Sequence, residues 1–419
     1  MVIRKIAVDI VKKNNFLKMI ARKLMYFKRW IMYKTNCLTN KIDENVIIFE
    51  SFMGRTYSDN PRAMYEEMIN NTKYKNFKFI WMFKNPDEKR NIEELSKATL
   101  IKYESMEYFK YYSIAKYLVS NSRIPEAIKP RNGQVYVQTW HGTPLKKLGY
   151  DLTAQNGNAL NSLKDVRYKY KTDAEKYSYL LSPSDFCTEK LTSCFNLKEN
   201  NPNCKIIQEG YPRNDFLSNY KEDDVKNIKE KLDINNIGNK KIILYAPTWR
   251  DNQHTSGVGY TYKIDVDFDL LRENLEDKYI ILFRAHYLVA NSFDFEKYKG
   301  FIYDVSSYES INDLYIVADI LITDYSSVFF DFAILKRPMI FYMYDLKEYK
   351  EDIHGFYIDL KELPGKIVEN ENALLKEIKE VTNNFKYNEK YQQFNNKYNP
   401  LDDGNVSKRV LKKIIDIKE

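Results

Sequence analysis

His141 stands at the end of a run rich in β-branched and aromatic side chains, Val135-Tyr136-Val137-Gln138-Thr139-Trp140, and directly before Gly142, Thr143 and Pro144. The run reads as a strand, and the glycine and proline stop it and suit the start of a turn. In an open α/β sheet the carboxyl end of a strand is where ligands bind, and imidazole is the side chain whose unperturbed pKa lies near neutrality. A histidine there can take a proton from a bound hydroxyl. The same position also suits a histidine that only packs or hydrogen-bonds at a strand end.

Three more polar groups follow apolar runs later in the chain. Pro247-Thr248-Trp249-Arg250 follows 242–246, Arg284-Ala285-His286 follows 280–283, and Asp324-Tyr325-Ser326-Ser327 follows 320–323. Arginines, a histidine and hydroxyls gathered at one sheet edge suit a phosphate ester. Ser326 and Ser327 open a helix expected over 328–335, where unpaired N–H groups attract an anion, and Asp331 is spaced to accept from a diol. An ordinary serine cap is the plainer alternative. Arg284 and His286 alternate along a strand and so share a face, with Ala285 on the other; a strand-end ion pair is the alternative. Arg213, in Gly210-Tyr211-Pro212-Arg213-Asn214-Asp215, offers one more guanidinium, or a hinge brace. His254 and His354 fall in loops and are weaker candidates for the base.

The elements that must position these groups alternate between short apolar runs and helical patterns, as in parallel sheets flanked by helices. Strands are expected at 46–51, 77–83, 117–120, 179–182 and 205–208, then at 241–246, 279–283, 301–304, 320–323 and 339–342. Helices are expected at 61–70, 106–115, 223–232 and 311–317. The polar stretch 149–176 reads as a loop beside the site. Two Rossmann-like α/β domains follow, 41–218 and 219–419, facing across a cleft, with some C-terminal helical residues crossing back to the first.

With 44% hydrophobic residues in 419, the chain can fill two cores and is not a disordered protein. Of its 66 basic residues, ten lie within residues 1–40 beside a single acid, Asp9, so this arm carries +9 and the rest of the chain −1 of the net charge of +8. That asymmetry argues against a nucleic-acid surface. Leu17, Ile20, Leu24, Phe27 and Ile31 form one helical stripe, with Lys18, Arg22 and Arg29 opposite and Trp30 suited to headgroup level. Residues 1–40 are therefore expected to form an amphipathic helical segment lying on an anionic membrane surface. A helix docked on the globular body is the alternative. Four scattered cysteines, Cys37, Cys187, Cys194 and Cys204, make structural zinc improbable and point to a reducing, cytoplasmic setting.

The motifs around His141, Arg213, Thr248, Arg284 and Ser326-Ser327 through Phe330-Asp331, in this order and spacing, resemble the CDP-glycerol glycerophosphotransferase family, the teichoic acid primase and polymerase group. The resemblance implies a GT-B-like fold and peripheral attachment to the cytoplasmic face of the cell membrane. It also implies transfer of glycerol phosphate from CDP-glycerol to a lipid-linked polyol-phosphate or glycan acceptor, with release of CMP. By that pattern His141 corresponds to the base, and Arg213, Arg284, His286, Ser326 and Ser327 to pyrophosphate binders. Asp331, Pro247 and Thr248 match donor contacts, and Gly142, Thr143, Pro144 and Leu145 match the segment lining the donor's glycerol end. No metal or other cofactor is expected. A CDP-ribitol donor, a nucleotide-sugar glycosyltransferase, and a capsular rather than teichoic acid acceptor stay open at this point.

Overall fold

Seven short runs dominated by Val, Ile, Leu and aromatic residues pair into one sheet, β1 (Asp43–Glu50), β2 (Lys78–Phe83), β3 (Ala98–Lys102), β4 (Ala115–Ser120), β5 (Val135–Gln138), β6 (Tyr179–Ser182) and β7 (Lys205–Gln208). Every pairing is parallel, in the order β3-β2-β1-β4-β5-β6-β7. Strands buried on both faces need continuous apolar runs, and β1 and β2 each have five consecutive buried residues. The computed structural model describes residues 15–153, 162–248, 254–255, 259–260, 266–285, 293–347 and 355–415.

A second parallel sheet contains β8 (Lys241–Ala246), β11 (Tyr279–Phe283), β12 (Ile302–Asp304), β13 (Ile320–Thr323), β14 (Met339–Tyr342) and β15 (Lys366–Val368), ordered β12-β11-β8-β13-β14-β15. A two-stranded ribbon, β9 (His254–Thr255) and β10 (Gly259–Tyr260), stands apart. In both large sheets the strand order reverses beside the first strand, between β1 and β4 and between β8 and β13. Such reversals open a crevice at the carboxyl edge, because the connecting helices leave to opposite faces.

The fold is thus α/β and GT-B-like, two doubly wound lobes. The last helix, Val406–Ile414, belongs to the first lobe's core: Val406, Val410, Leu411 and Ile414 pack against residues of β1, β2 and β4. Each such side chain is worth roughly 1.5–3 kcal/mol when buried. Asp215 caps this helix, accepting from the Val406 and Ser407 N–H groups at 2.7 Å each. Part of the span 219–419 therefore serves the first lobe.

Two regions depart from the sequence reading. Within 149–176, residues Leu163–Ala174 form a helix rather than a loop, started by a Ser162–Asp165 capping box that a weak apolar pattern hides. The N-terminal helix, Asn15–Thr39, buries Tyr33 in the first lobe's core while Leu24, Phe27 and Ile31 stay exposed. Arg29 does not face solvent opposite the stripe; it grips Glu104 with a closest contact of 2.6 Å. Among the described residues no helix is long and apolar enough to cross a membrane.

Candidate active site

The carboxyl edges of the two sheets enclose a crevice of about 290 Å³, lined by His141, Gly142, Thr143, Pro144 and Leu145 from the first lobe and by Thr248, Ser326 and Ser327 from the second. Eight residues singled out in the sequence therefore meet in one place. Lys146, Leu148, Trp140 and Tyr325 line it as well. A larger cavity of about 720 Å³ elsewhere between the lobes is lined by none of the sequence candidates and carries more acidic than basic side chains.

His141 follows β5 after a strained residue. Trp140 has φ +55, an outlier for a bulky side chain, and is held there by the Asn60 amide on its carbonyl at 3.1 Å and by Gln138 on its N–H at 2.9 Å. The imidazole stacks on Trp140 at 4.5 Å and meets the Phe52 ring edge-on at 5.8 Å. Nδ1 lies 2.7 Å from the Asn121 carbonyl oxygen. A carbonyl only accepts, so Nδ1 carries the proton and Nε2 presents its lone pair. The residue stays exposed toward the crevice, yet desolvation by the protein packed around it pushes its pKa down, opposed first by the bond to the Asn121 carbonyl and then by Asp59, with Arg213 adding to the fall. A lowered pKa keeps the imidazole neutral near pH 7, as a base requires.

Gly142 is what lets the lobes touch. Its φ is +152, and a Cβ there would stand 3.3 Å from Ser327 Oγ and 3.6 Å from Arg213 Nη2. Thr143 is buried against Cys187, and Leu145 is buried in the second lobe's core, crossing the cleft. The chain beyond it pairs with the second lobe: Tyr357 N–H donates to the Leu145 carbonyl at 2.9 Å, and Lys147 N–H to that of Gly355 at 3.1 Å.

On the second lobe, buried Asp324 ties the loop after β8 to the loop after β13. Its Oδ1 accepts from Thr248 N–H at 2.8 Å, from the Thr248 hydroxyl at 2.6 Å and from Tyr325 N–H at 2.6 Å. Pro247 is half-buried beside Thr248. Ser326 and Ser327 precede the expected helical stretch, α-helical over Val328–Phe332 and 3-10 over Ala333–Leu335, and Ser327 makes no side-chain capping bond. The plain serine-cap alternative thus fails for Ser327.

Arg213 and Asp331 are brought together with each other rather than opened to the crevice. Arg213 donates to Asp331 at 2.6 Å and to Asp59 at 2.8 Å, all three side chains being less than 8% exposed. Asp331 also accepts from the Asn214 amide at 3.3 Å, so no diol reaches it without breaking these bonds. Burial raises the Asp331 pKa against the pull of Arg213. The hinge brace left open in the sequence is the arrangement found. Arg284 turns Nη1 to the carbonyls of Tyr308 (2.6 Å) and Val305 (3.2 Å) and does not line the crevice; Ala285 is buried. His286, Trp249, Arg250 and His354 lie outside the described residues. Among the described residues no group of three or more His, Cys, Asp or Glu could hold a metal ion.

Two doubly wound lobes with an imidazole on one edge and hydroxyls on the other form a GT-B-like cleft of the kind group-transfer enzymes use. A family model described as CDP-glycerol:poly(glycerophosphate) glycerophosphotransferase matches residues 31–416, and the chain belongs to that family. It is 39% identical over 409 residues to the teichoic acid glycerol-phosphate transferase of Staphylococcus aureus, covering 96% of this chain and 99% of that one. It is also 39% identical over 378 residues to the teichoic acid poly(glycerol phosphate) polymerase of Staphylococcus epidermidis, covering 89% of this chain but only 51% of that longer protein. Among solved structures, one of the wall teichoic acid polymerase TagF superposes with a TM-score of 0.82 at 35% identity, covering 95% of this chain and 97% of the other.

Proposed function

We propose that His141 is the general base in transfer of glycerol phosphate from CDP-glycerol to a hydroxyl of a teichoic acid acceptor. The acceptor oxygen attacks the phosphorus that bears glycerol, a new O–P bond forms, the bridging P–O bond breaks, and CMP leaves with the electron pair. The acceptor's proton ends on Nε2 of His141. The observation that carries this reading is the 2.7 Å bond from Nδ1 to the Asn121 carbonyl, which leaves Nε2 as the acceptor in a crevice opposite Ser326 and Ser327. Phosphoryl transfer asks chiefly for alignment and for donors on developing charge. Ser326 and Ser327 supply hydroxyls, that of Thr248 already donating to Asp324, Lys146 lines the same space, and the family motif adds His286 on the donor side. Arg213 acts from behind as a brace between lobes. Mass spectrometry of products from CDP-glycerol and a synthetic lipid-linked acceptor tests the reading. Increments of one glycerol phosphate support it, whereas increments only from CDP-ribitol or from nucleotide sugars overturn it.

The acceptor is membrane-linked, and the enzyme works peripherally at the cytoplasmic face of the membrane. Support comes from the helix Asn15–Thr39, whose Leu24, Phe27 and Ile31 are 64%, 56% and 45% exposed. A surface of this kind inserts at the headgroup boundary, and nearby lysines add about 1 kcal/mol each on anionic lipid. Since Tyr33 of the same helix is buried, replacing Leu24, Phe27 and Ile31 by serine is a cleaner test than deletion. The triple variant should lose co-sedimentation with anionic vesicles; undiminished binding removes the proposal.

A further inference from the structure

We infer that Asn121 is a positioning residue for the base, locking His141 in both tautomer and orientation through two hydrogen bonds, one from its main chain and one from its side chain, at the sheet's reversal point. The inference rests on the reading of His141 as the base. Register places Glu50 of β1 opposite Ser120 of β4, so the chain leaves both strands at one level, through Ser51-Phe52 and through Asn121. The chain after β1 then runs through three consecutive left-handed residues, Phe52 (φ +48), Met53 (φ +57) and Gly54 (φ +72). Two of these are not glycine, and each such residue is strained by roughly 1–3 kcal/mol unless its surroundings hold it.

Asn121 and its neighbour do the holding. Asn121 Oδ1 accepts from Phe52 N–H at 2.8 Å, and Ser122 Oγ accepts from Met53 N–H at 3.0 Å. The turn thus fixed sets the Phe52 ring edge-on against His141, which also stacks on Trp140. Asn121 meanwhile accepts from His141 Nδ1 through its own carbonyl. One buried residue therefore sets the imidazole's hydrogen bond with its main chain and the aromatic wall beside it with its side chain. Its amide Nδ2 has no partner among the described residues although the residue is 0% exposed, a cost that packing alone would not retain. The charged groups acting on the ring are Asp59 and Arg213, neither of which touches Asn121's side chain.

The test measures kcat, donor KM and the nitrogen-15 shifts of His141 in histidine-labelled full-length protein, its signals assigned by their loss in His141→Ala. In the wild type the shifts should be those of one Nδ1–H tautomer; an Nε2–H tautomer overturns the inference without any variant. Asn121→Ala keeps the main-chain carbonyl but unhooks the Phe52 turn beside it; it should lower kcat about tenfold or more with donor KM within about twofold, since small misplacements of a reacting group cost this much, and the loosened carbonyl should let an Nε2–H tautomer appear beside Nδ1–H. Asn121→Asp, which keeps the Oδ acceptor for Phe52, should recover the single tautomer and most of the rate. Unchanged kcat in Asn121→Ala overturns the positioning role, as does a loss of kcat with the tautomer intact. If His141→Ala also keeps its rate, it is instead the base assignment that fails.

Discussion

The two lobes share a strand order but use their carboxyl edges differently. In the first, the edge is tied down: His141 is held by Asn121, Trp140 by Asn60 and Gln138, and the turn after β1 by Asn121 and Ser122. In the second, Asp324 ties the loops together from below, while Ser327 is left without a capping bond at the crevice. A proton acceptor has to meet one atom along one direction, whereas an anion is held by several donors that can each adjust. Rigidity is concentrated where direction matters.

The largest test of this contrast is His141→Ala. Turnover should fall about 10²–10⁴-fold while calorimetric binding of CDP-glycerol stays near wild type; equal losses in both would erase the distinction between the edges. Arg213→Met probes what joins them. It leaves Asp59 and Asp331 buried without their cation and should cost about 3–5 kcal/mol in chemical denaturation. A loss of donor affinity without loss of stability would return Arg213 to the donor site.

Glu50 sharpens the view of the first edge from beneath. It ends β1, accepts from Tyr112 (2.9 Å) and Tyr108 (3.0 Å), and burial pushes its pKa up to about 7 from 4.5. The unfolded chain gives up this proton at lower pH than the folded one. Stability is therefore greatest below the ordinary carboxylate pKa, falls as pH rises toward 7, and levels off above it. Glu50→Gln should flatten that slope, by up to about 3 kcal/mol between acid and neutral pH. An unchanged slope would mean that Glu50 titrates normally.

On the second edge, Ser326→Ala and Ser327→Ala should each weaken CDP-glycerol binding by about 1 kcal/mol, roughly fivefold, with little change in kcat. The smallest effect is in pH dependence. Because burial lowers the His141 pKa, the acid limb of kcat/KM should lie below the ordinary imidazole value of about 6.5, with activity lost as pH falls through it. A limb above that value would require an acidic partner the crevice does not show among its described residues.

Apolar runs announced most of the sheet, because strands buried on both faces must be continuously hydrophobic. The edge strands β3 and β15 were not legible: each has only one buried residue among several partly exposed ones, so their sequences resemble loops. In the site, His141, Ser326 and Ser327 could be found because strand ends are marked by glycine, proline and helix starts. Asn121, Asn60 and Asp59 could not. Asn121 and Asn60 act on backbone groups far along the chain, which carry no side-chain signature, and Asp59 pairs with a guanidinium 154 positions away.

The sequence alone therefore determined which chemical groups stand at strand ends, since periodicity and turn residues act over a few positions. Whether a charged group faces ligand or partner was decided only by tertiary structure. Arg213 and Asp331 lie 118 positions apart, and their mutual burial at 2.6 Å pairs two groups that the sequence offers separately. Local sequence cannot encode that outcome, because desolvation and pairing depend on what the folded chain brings alongside.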